Sequence, residues 1–314
     1  MPLDPVAKYM LEQVQAMNAP RVYELTPEQA RQSGDMSALA GEPEEVGKVE
    51  DKLIPGPAGD IPVRIYTPEG QGLFPALIYY HGGGWTIGNL DSVDVPCRLI
   101  TNRAECVVIS VDYRLAPEHK FPAPLEDAYA TAKWTAEHGE SISVDPTRIA
   151  VGGDSAGGNL AAAVTLMAKE KGGPTLSFQL LVYPNTNYAF DTATHLEFGE
   201  GYLLTNKELE WFWNHYLRNE DDGKNPYTSP LLAEDLSGLP PALVITAEYD
   251  QLREEGEAYG NRLKEAGVPV EIIRYDGMLH GFFWMPKIYK QGLEAIEQSS
   301  RALKEAFQKV VGQS

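Results

Sequence analysis

The chain has 314 residues, with 43% apolar and 23% charged side chains and a formal net charge of −19. That length suits one large catalytic domain with a small accessory element, and the composition is that of a globular protein. So acidic a chain is unsuited to gripping a phosphate backbone, which needs clustered Lys and Arg, and no nucleic-acid partner is expected. Its two cysteines, Cys97 and Cys106, make no disulfide framework, so reduced thiols in a cytoplasm are expected. The first residues, MPLDPVAKYMLEQVQAM, carry neither the basic start nor the apolar stretch of a signal peptide. No apolar run is long enough to cross a bilayer, so no stable membrane insertion is expected.

In chain order, the first forty or so residues read as helical, with Val6, Met10, Val14 and Met17 recurring at helical spacing. A second short helix is predicted over Pro27–Ala30. Val46–Ile54 and Ile61–Tyr66, on either side of the turn sequence PGPAGD, predict a hairpin. Buried strands are then predicted at Leu77–Tyr80, Val107–Val111, Ile149–Val151, Gln179–Tyr183, Ala242–Thr246 and Val270–Arg274. Helical patterns fall between and after them, at Leu125–His138, Ala156–Lys171, Leu252–Ala266 and Ile288–Val311. Ala266-Gly267-Val268-Pro269 is a helix stop, with Gly267 as a left-handed cap. Such alternation argues for an α/β fold, a mostly parallel sheet with helices on both faces. Residues 185–222 interrupt it and are too long for a simple connection. Within them Thr205 and Glu208 form a capping box that predicts a helix over Thr205–Leu217. Together with the N-terminal helices this insertion could form a lid.

The strongest chemical signal is Gly153-Asp154-Ser155-Ala156-Gly157-Gly158, which follows a strand pattern and opens a helix. That is the context of a G-x-S-x-G nucleophile elbow. The second signal is His81-Gly82-Gly83-Gly84-Trp85, directly after another strand. Glycines let backbone N–H groups approach a developing oxyanion, so Gly83, Gly84 and Ala156 are the expected donors. His81 is expected to shape this loop by hydrogen bonding. Serine is a weak nucleophile and needs a base. His195 and His215 fall in the insertion, whereas His280 lies just past the last strand and is the expected base. Asp250 stands at a strand-to-helix junction as the orienting carboxylate, with N-capping as its competing role. Glu248 and then Asp276 are the substitutes. Trp211, Phe212, Trp213 and Tyr216 form an aromatic cluster that fits a core as well as an acyl pocket. Tyr113-Arg114 is read as fixing a turn. No His/Cys cluster has metal-ligand spacing.

HGGGW at 81–85, DYRLAPEHKFPAPLEDA at 112–128, GDSAGGNLAA at 153–162, Asp250 in AEYDQLREEG and His280 in MLHGF resemble the bacterial hormone-sensitive-lipase-like carboxylesterases, from about Val46 to the C-terminus. The resemblance implies an α/β-hydrolase fold with an eight-stranded mixed sheet. It implies a small-molecule ester substrate of short-to-medium acyl length and no metal or organic cofactor. Its triad falls on Ser155, Asp250 and His280, and its oxyanion amides on Gly83, Gly84 and Ala156. It divides the chain into residues 1–45 and 185–222 as the two parts of a helical cap, and 46–184 and 223–314 as the catalytic core. Leu204 and Phe212, with Trp85, are its substrate contacts. Many relatives have proline after the triad aspartate where this chain has Gln251, a change at the first turn of a helix that leaves the chemistry alone. An amidase, lactonase or carbamate hydrolase on the same triad stays open, as does a homodimer. A non-catalytic binding protein of the same fold, like the gibberellin receptors that lack the histidine, is disfavoured by His280.

Overall fold

The computed structural model describes residues 1–33 and 39–312; part of the predicted N-terminal helical region, at 34–38, lies outside the described residues. One eight-stranded sheet runs in the order β1-β2-β4-β3-β5-β6-β7-β8. The strands are β1 (Lys48–Gly56), β2 (Gly59–Thr67), β3 (Phe74–Tyr80), β4 (Val107–Val111), β5 (Val144–Asp154), β6 (Phe178–Val182), β7 (Ala242–Tyr249) and β8 (Val270–Leu279). β1 and β2 form the predicted hairpin and β2 joins β4 antiparallel, while every pairing from β4 onward is parallel.

Alternation along the strands builds two cores. Ala76, Ile78 and Tyr80 of β3, with Ile109 and Val151, face one side, and Leu77, Tyr79, Val108 and Ala150 face the other. The first core is closed by α4 (Ala123–His138), α5 (Ala156–Lys171) and α8 (Arg253–Glu265). The second is closed by α3 (Asp94–Ala104) and α9 (Lys290–Val311). β3, β4 and β6 are buried on both faces, which is why they read as unbroken apolar runs.

The remaining helices are α1 (Pro5–Met17), α2 (Pro27–Ser33), α6 (Ala193–Phe198) and α7 (Asn206–Tyr216). On α7 the capping box forms as expected, with Thr205 and Glu208 satisfying each other's free amides. Gly267 has φ +83° and ends the α8 region as the stop sequence predicted. The stripe predicted on α1 differs from the observed one. Its buried residues are Ala7 and Leu11, while Val6 and Met17 face outward and Met10 and Val14 are only half covered. The helix α3 was not foreseen. β8 runs on to Leu279, so His280 sits directly on the end of a strand rather than within a longer loop. Both cysteines are buried and unpaired. No helix among the described residues is long and apolar enough to cross a membrane, and no cluster of three or more His, Cys, Asp or Glu among them could hold a metal.

Candidate active site

The parallel strands bring their carboxyl ends to one edge, and the predicted residues meet there. β5 ends at Asp154, and Ser155 follows at φ 55°, ψ −118° before α5 begins. A non-glycine residue at positive φ stores on the order of 1–3 kcal/mol of strain, which the surrounding structure must hold in place. Here the Ser155 N–H donates to the Val182 carbonyl of β6 at 2.8 Å, and the Ser155 carbonyl accepts from Asn159 at 3.0 Å. Glycine is obligatory two residues on, because a Cβ on Gly157 would collide with the Tyr80 carbonyl oxygen at the end of β3.

His280 Nε2 lies 2.9 Å from Ser155 Oγ, and its Nδ1 lies 2.7 Å from Asp250 Oδ2. With Nδ1 donating to the carboxylate, Nε2 is left to accept the serine proton. Asp250 also does the other job that sequence allowed it. Its Oδ1 accepts the Leu252 N–H at 3.0 Å, which fixes the turn into α8. The substitutes do not reach the histidine. Glu248 accepts from the Gly277 N–H at 2.7 Å, and Asp276 pairs with Arg274 at 2.9 Å. His195 bonds Thr192 and His215 stands edge-on to Trp211, both away from Ser155.

Opposite the histidine lies the 81–85 loop. Gly83 and Gly84 have φ +109° and +57°, and a Cβ on Gly84 would run into the Phe212 ring. Among the described residues, no acceptor takes the N–H groups of Gly83, Gly84 or Ala156. The loop is held from beneath. Asp154 Oδ1 accepts the Gly82 N–H at 3.1 Å and the Tyr79 hydroxyl at 2.9 Å. Burial pushes the Asp154 carboxyl up, against those two hydrogen bonds. His81 shapes the loop as expected. Its Nδ1 contacts the Gly82 carbonyl at 2.7 Å, its ring stacks on Tyr113 at 4.4 Å, and burial pushes its pKa down to about 4. A neutral, enclosed imidazole of this kind is a scaffold. Arg114 grips the buried Asp127 through its N–H and guanidinium at 2.8–3.0 Å, so Tyr113-Arg114 does fix a turn.

A cavity of about 390 Å³ opens above Ser155 and His280. Leu204, Phe212 and Trp85 all line it, along with Val22, Leu209 and Met285. Trp85 also belongs to the packing beneath, because its indole is fully buried and stacks on Tyr216 at 4.2 Å. The aromatic cluster of α7 therefore divides. Trp213 and Tyr216 join the core and Phe212 faces the cavity. Truncating a buried aromatic such as Trp85 costs about 3–5 kcal/mol, so this stack anchors α7 to the glycine loop.

Sequence reasoning missed several residues of this site. Arg31 of α2 donates to the Thr86 and Ala116 carbonyls and pairs with Glu118, tying the N-terminal segment to the glycine loop at 2.7–2.8 Å. Arg21 pairs with Glu208 at 2.7 Å and so links that segment to α7. Tyr183 packs its ring 4.6 Å from the His280 ring. Asn185 lies 3.5 Å from Ser155 Oγ. Each of these contacts spans distant sequence and carries no motif.

Residues 77–284 match the family model of the alpha/beta hydrolase fold. The chain is 50% identical over 240 residues to carboxylic ester hydrolase LipN of Mycobacterium tuberculosis, covering 74% of this chain and 64% of LipN. It is 37% identical to the arylesterase of Saccharolobus solfataricus over 93% of this chain and 95% of that protein. Among solved structures, the ester-hydrolase EH1AB1 from the metagenome of Lake Arreo, in complex with a derivative of bipyridine phosphonate, superposes with a TM-score of 0.94 at 42% identity, covering 98% of this chain and 99% of that one. The strand order, the elbow at Ser155 and these likenesses agree: the chain belongs to the α/β-hydrolase fold family, in its hormone-sensitive-lipase-like carboxylesterase branch.

Proposed function

We propose that the chain hydrolyses carboxylic esters through an acyl-enzyme on Ser155. The observation that carries this reading is the unbroken relay from Asp250 Oδ2 through His280 to Ser155 Oγ, at 2.7 and 2.9 Å. Ser155 Oγ attacks the ester carbonyl while His280 Nε2 takes its proton, and the electron pair of the C=O bond moves onto oxygen. Gly83, Gly84 and Ala156 offer that oxygen their N–H groups. His280 then gives its proton to the departing alcohol, and water repeats both steps on the acyl-serine. Asp250 holds the imidazole tautomer and stabilises the imidazolium. The apolar cavity of about 390 Å³ suits short-to-medium acyl chains. Residues 1–45 and 185–222 act as the cap that covers them and keeps water from the acyl group. No metal or organic cofactor enters this scheme, and the two buried free thiols suit work in the cytoplasm.

Ester cleavage asks less of this triad than amide cleavage, since an alcohol oxygen departs as the proton of His280 reaches it, whereas an amide nitrogen must be fully protonated before its bond to carbon breaks. Ser155→Ala tests the proposal. Turnover of p-nitrophenyl esters should fall by several orders of magnitude with the melting temperature preserved. Turnover near the parent rate would end the reading. A panel of esters, anilides and lactones on the parent enzyme ranks the substrate classes.

A further inference from the structure

The catalytic relay leaves one polar side chain beside Ser155 without a role. Asn185 follows β6 and is 2% exposed. It lines the same cavity as Ser155 and His280. Its carboxamide Oδ1 lies 3.5 Å from Ser155 Oγ, and its Nδ2 is buried with no acceptor. Ser155 has a single hydroxyl proton, and His280 Nε2 takes it at 2.9 Å. Oγ and Oδ1 therefore face each other as two acceptors, while an N–H pair nearby goes unmet. A buried donor without a partner costs about 1–3 kcal/mol. Half a turn about the Cβ–Cγ bond removes the conflict, because it sets Nδ2 toward Oγ with the side chain occupying the same space.

The backbone around Asn185 is held too firmly for this proximity to be incidental. Its N–H donates to the Ser155 carbonyl at 3.3 Å, and its own carbonyl accepts from the buried Asn159 of α5 at 2.9 Å. The next residues are pinned by Glu255 of α8. Glu255 Oε1 accepts the N–H groups of Thr186 at 2.7 Å and Asn187 at 3.2 Å, and the Thr186 hydroxyl donates to the Glu255 carbonyl at 2.7 Å. Glu255 itself is fully enclosed and stands five residues after Asp250, so one helix start sets both the triad acid and the Asn185 loop.

We infer that Asn185 is a further catalytic residue, whose carboxamide N–H donates to Ser155 Oγ, and that Glu255 is the positioning residue that holds it there. This rests on the acyl-enzyme reading above. As the proton passes from Oγ to His280 Nε2 and the Oγ–C bond forms, Oγ carries partial negative charge, while the three backbone amides are given to the carbonyl oxygen. The Asn185 donor meets that charge. It also fixes the hydroxyl so that its proton points at the imidazole. The same contact operates in reverse when Oγ departs in deacylation.

The test measures the pre-steady-state release of p-nitrophenol, counted per Ser155 that an organophosphonate can titrate, so misfolded molecules do not enter. Asn185→Leu keeps the size and removes the donor. Acylation of butyrate and octanoate esters should slow alike, by about tenfold to a hundredfold, less than the loss of an oxyanion donor because the charge on Oγ is fleeting. Asn185→Asp keeps the shape and replaces the donor with an acceptor, and it decides the question on the same criterion should Asn185→Leu fail to fold. Glu255→Gln keeps an acceptor for Thr186 and Asn187 and should acylate near the parent rate, whereas Glu255→Leu should reproduce the Asn185→Leu defect. In the double variant the two losses should not add. Acylation within twofold of the parent in Asn185→Leu, or in Asn185→Asp where only that variant folds, overturns the inference. Additive losses overturn the role given to Glu255. A parent enzyme that the organophosphonate does not label at Ser155 would instead bring down the acyl-enzyme reading itself.

Discussion

Ser155 reaches its place through one turn of chain between adjacent elements, whereas Leu204 and Phe212 reach theirs through contacts from separate stretches. Ser155 sits between the buried end of β5 and the start of α5, and its neighbours leave no room for a Cβ at Gly157. The cap segments are joined by a few pairs: Arg21 with Glu208, Arg31 with Glu118 and two loop carbonyls, and Trp85 stacked on Tyr216. The Arg31–Glu118 pair is open to water, at 28% and 45% of the side-chain surface, and contributes little as a charge pair, whereas Arg21 meets a Glu208 that is 9% exposed. On the proposed function, the core would fix which reaction is possible, and the more loosely joined N-terminal segment and 185–222 insertion would fix which acyl group is admitted. Substitutions at the carboxyl edge of the sheet should cost rate on every substrate. Those in the cap should change ratios between substrates.

The largest effect is expected at Asp250. Asp250→Asn retains an oxygen for the Leu252 N–H, so the turn into α8 survives, but its amide meets His280 Nδ1 and imposes the wrong tautomer. The kcat should fall by about 10⁴ with the melting temperature within a few degrees of the parent. A large loss of melting temperature with turnover retained would make Asp250 a structural cap only.

A smaller effect, and one of a different kind, is expected at Phe212. Its ring closes the cavity beside Gly84. Phe212→Ala removes that wall, and the ratio of kcat/KM for octanoate over butyrate esters should rise by about tenfold, the worth of one or two methylenes in an apolar pocket. An equal fall for both esters would assign Phe212 to the core with Trp213 and leave the insertion no say in acyl length.

The same contrast explains what the sequence disclosed. The elbow, the glycine loop, His280 and Asp250 each follow from a short local pattern of strand, turn and helix, so their placement at one sheet edge is legible. The strand set was legible because doubly buried strands are unbroken apolar runs. The α1 stripe was misassigned because large side chains drew the helical period, while the surface α1 packs on near β8 takes the smaller Ala7 with Leu11. The helix α3 went unseen because Pro96 interrupts its start, although a proline in the first turn is tolerated. Asp154, Tyr183, Asn185 and the two arginine links act through partners far along the chain. No periodicity encodes such pairs, and only the folded arrangement reveals them.

An effect on stability alone, with no change of rate, concerns pH, and it separates the buried frame from the exposed surface of the 185–222 insertion. Glu255 is fully enclosed, and burial pushes its carboxyl up to about 8, helped by the nearby Asp250 charge and opposed by the Thr186 and Asn187 amides. In the unfolded chain the same group ionises near 4.5. Between these values the folded state holds a proton that the unfolded state has released, so stability is fully present below about 4.5 and declines as pH rises toward about 8. Glu255→Gln cannot titrate. Its melting temperature, compared with the parent at each pH, should gain steadily across that window and level off above it, by an amount corresponding to a few kcal/mol at most. The offset between the two curves is not the readout, since the glutamine amide brings a buried donor of its own, but the slope is. Exposed pairs such as Lys224 with Asp221, where the 185–222 insertion meets the following segment, should leave that slope untouched when cut. Parallel curves for Glu255→Gln and the parent would mean that water or a counter-charge reaches the carboxyl, and that the frame beneath Asn185 is as open as the cap.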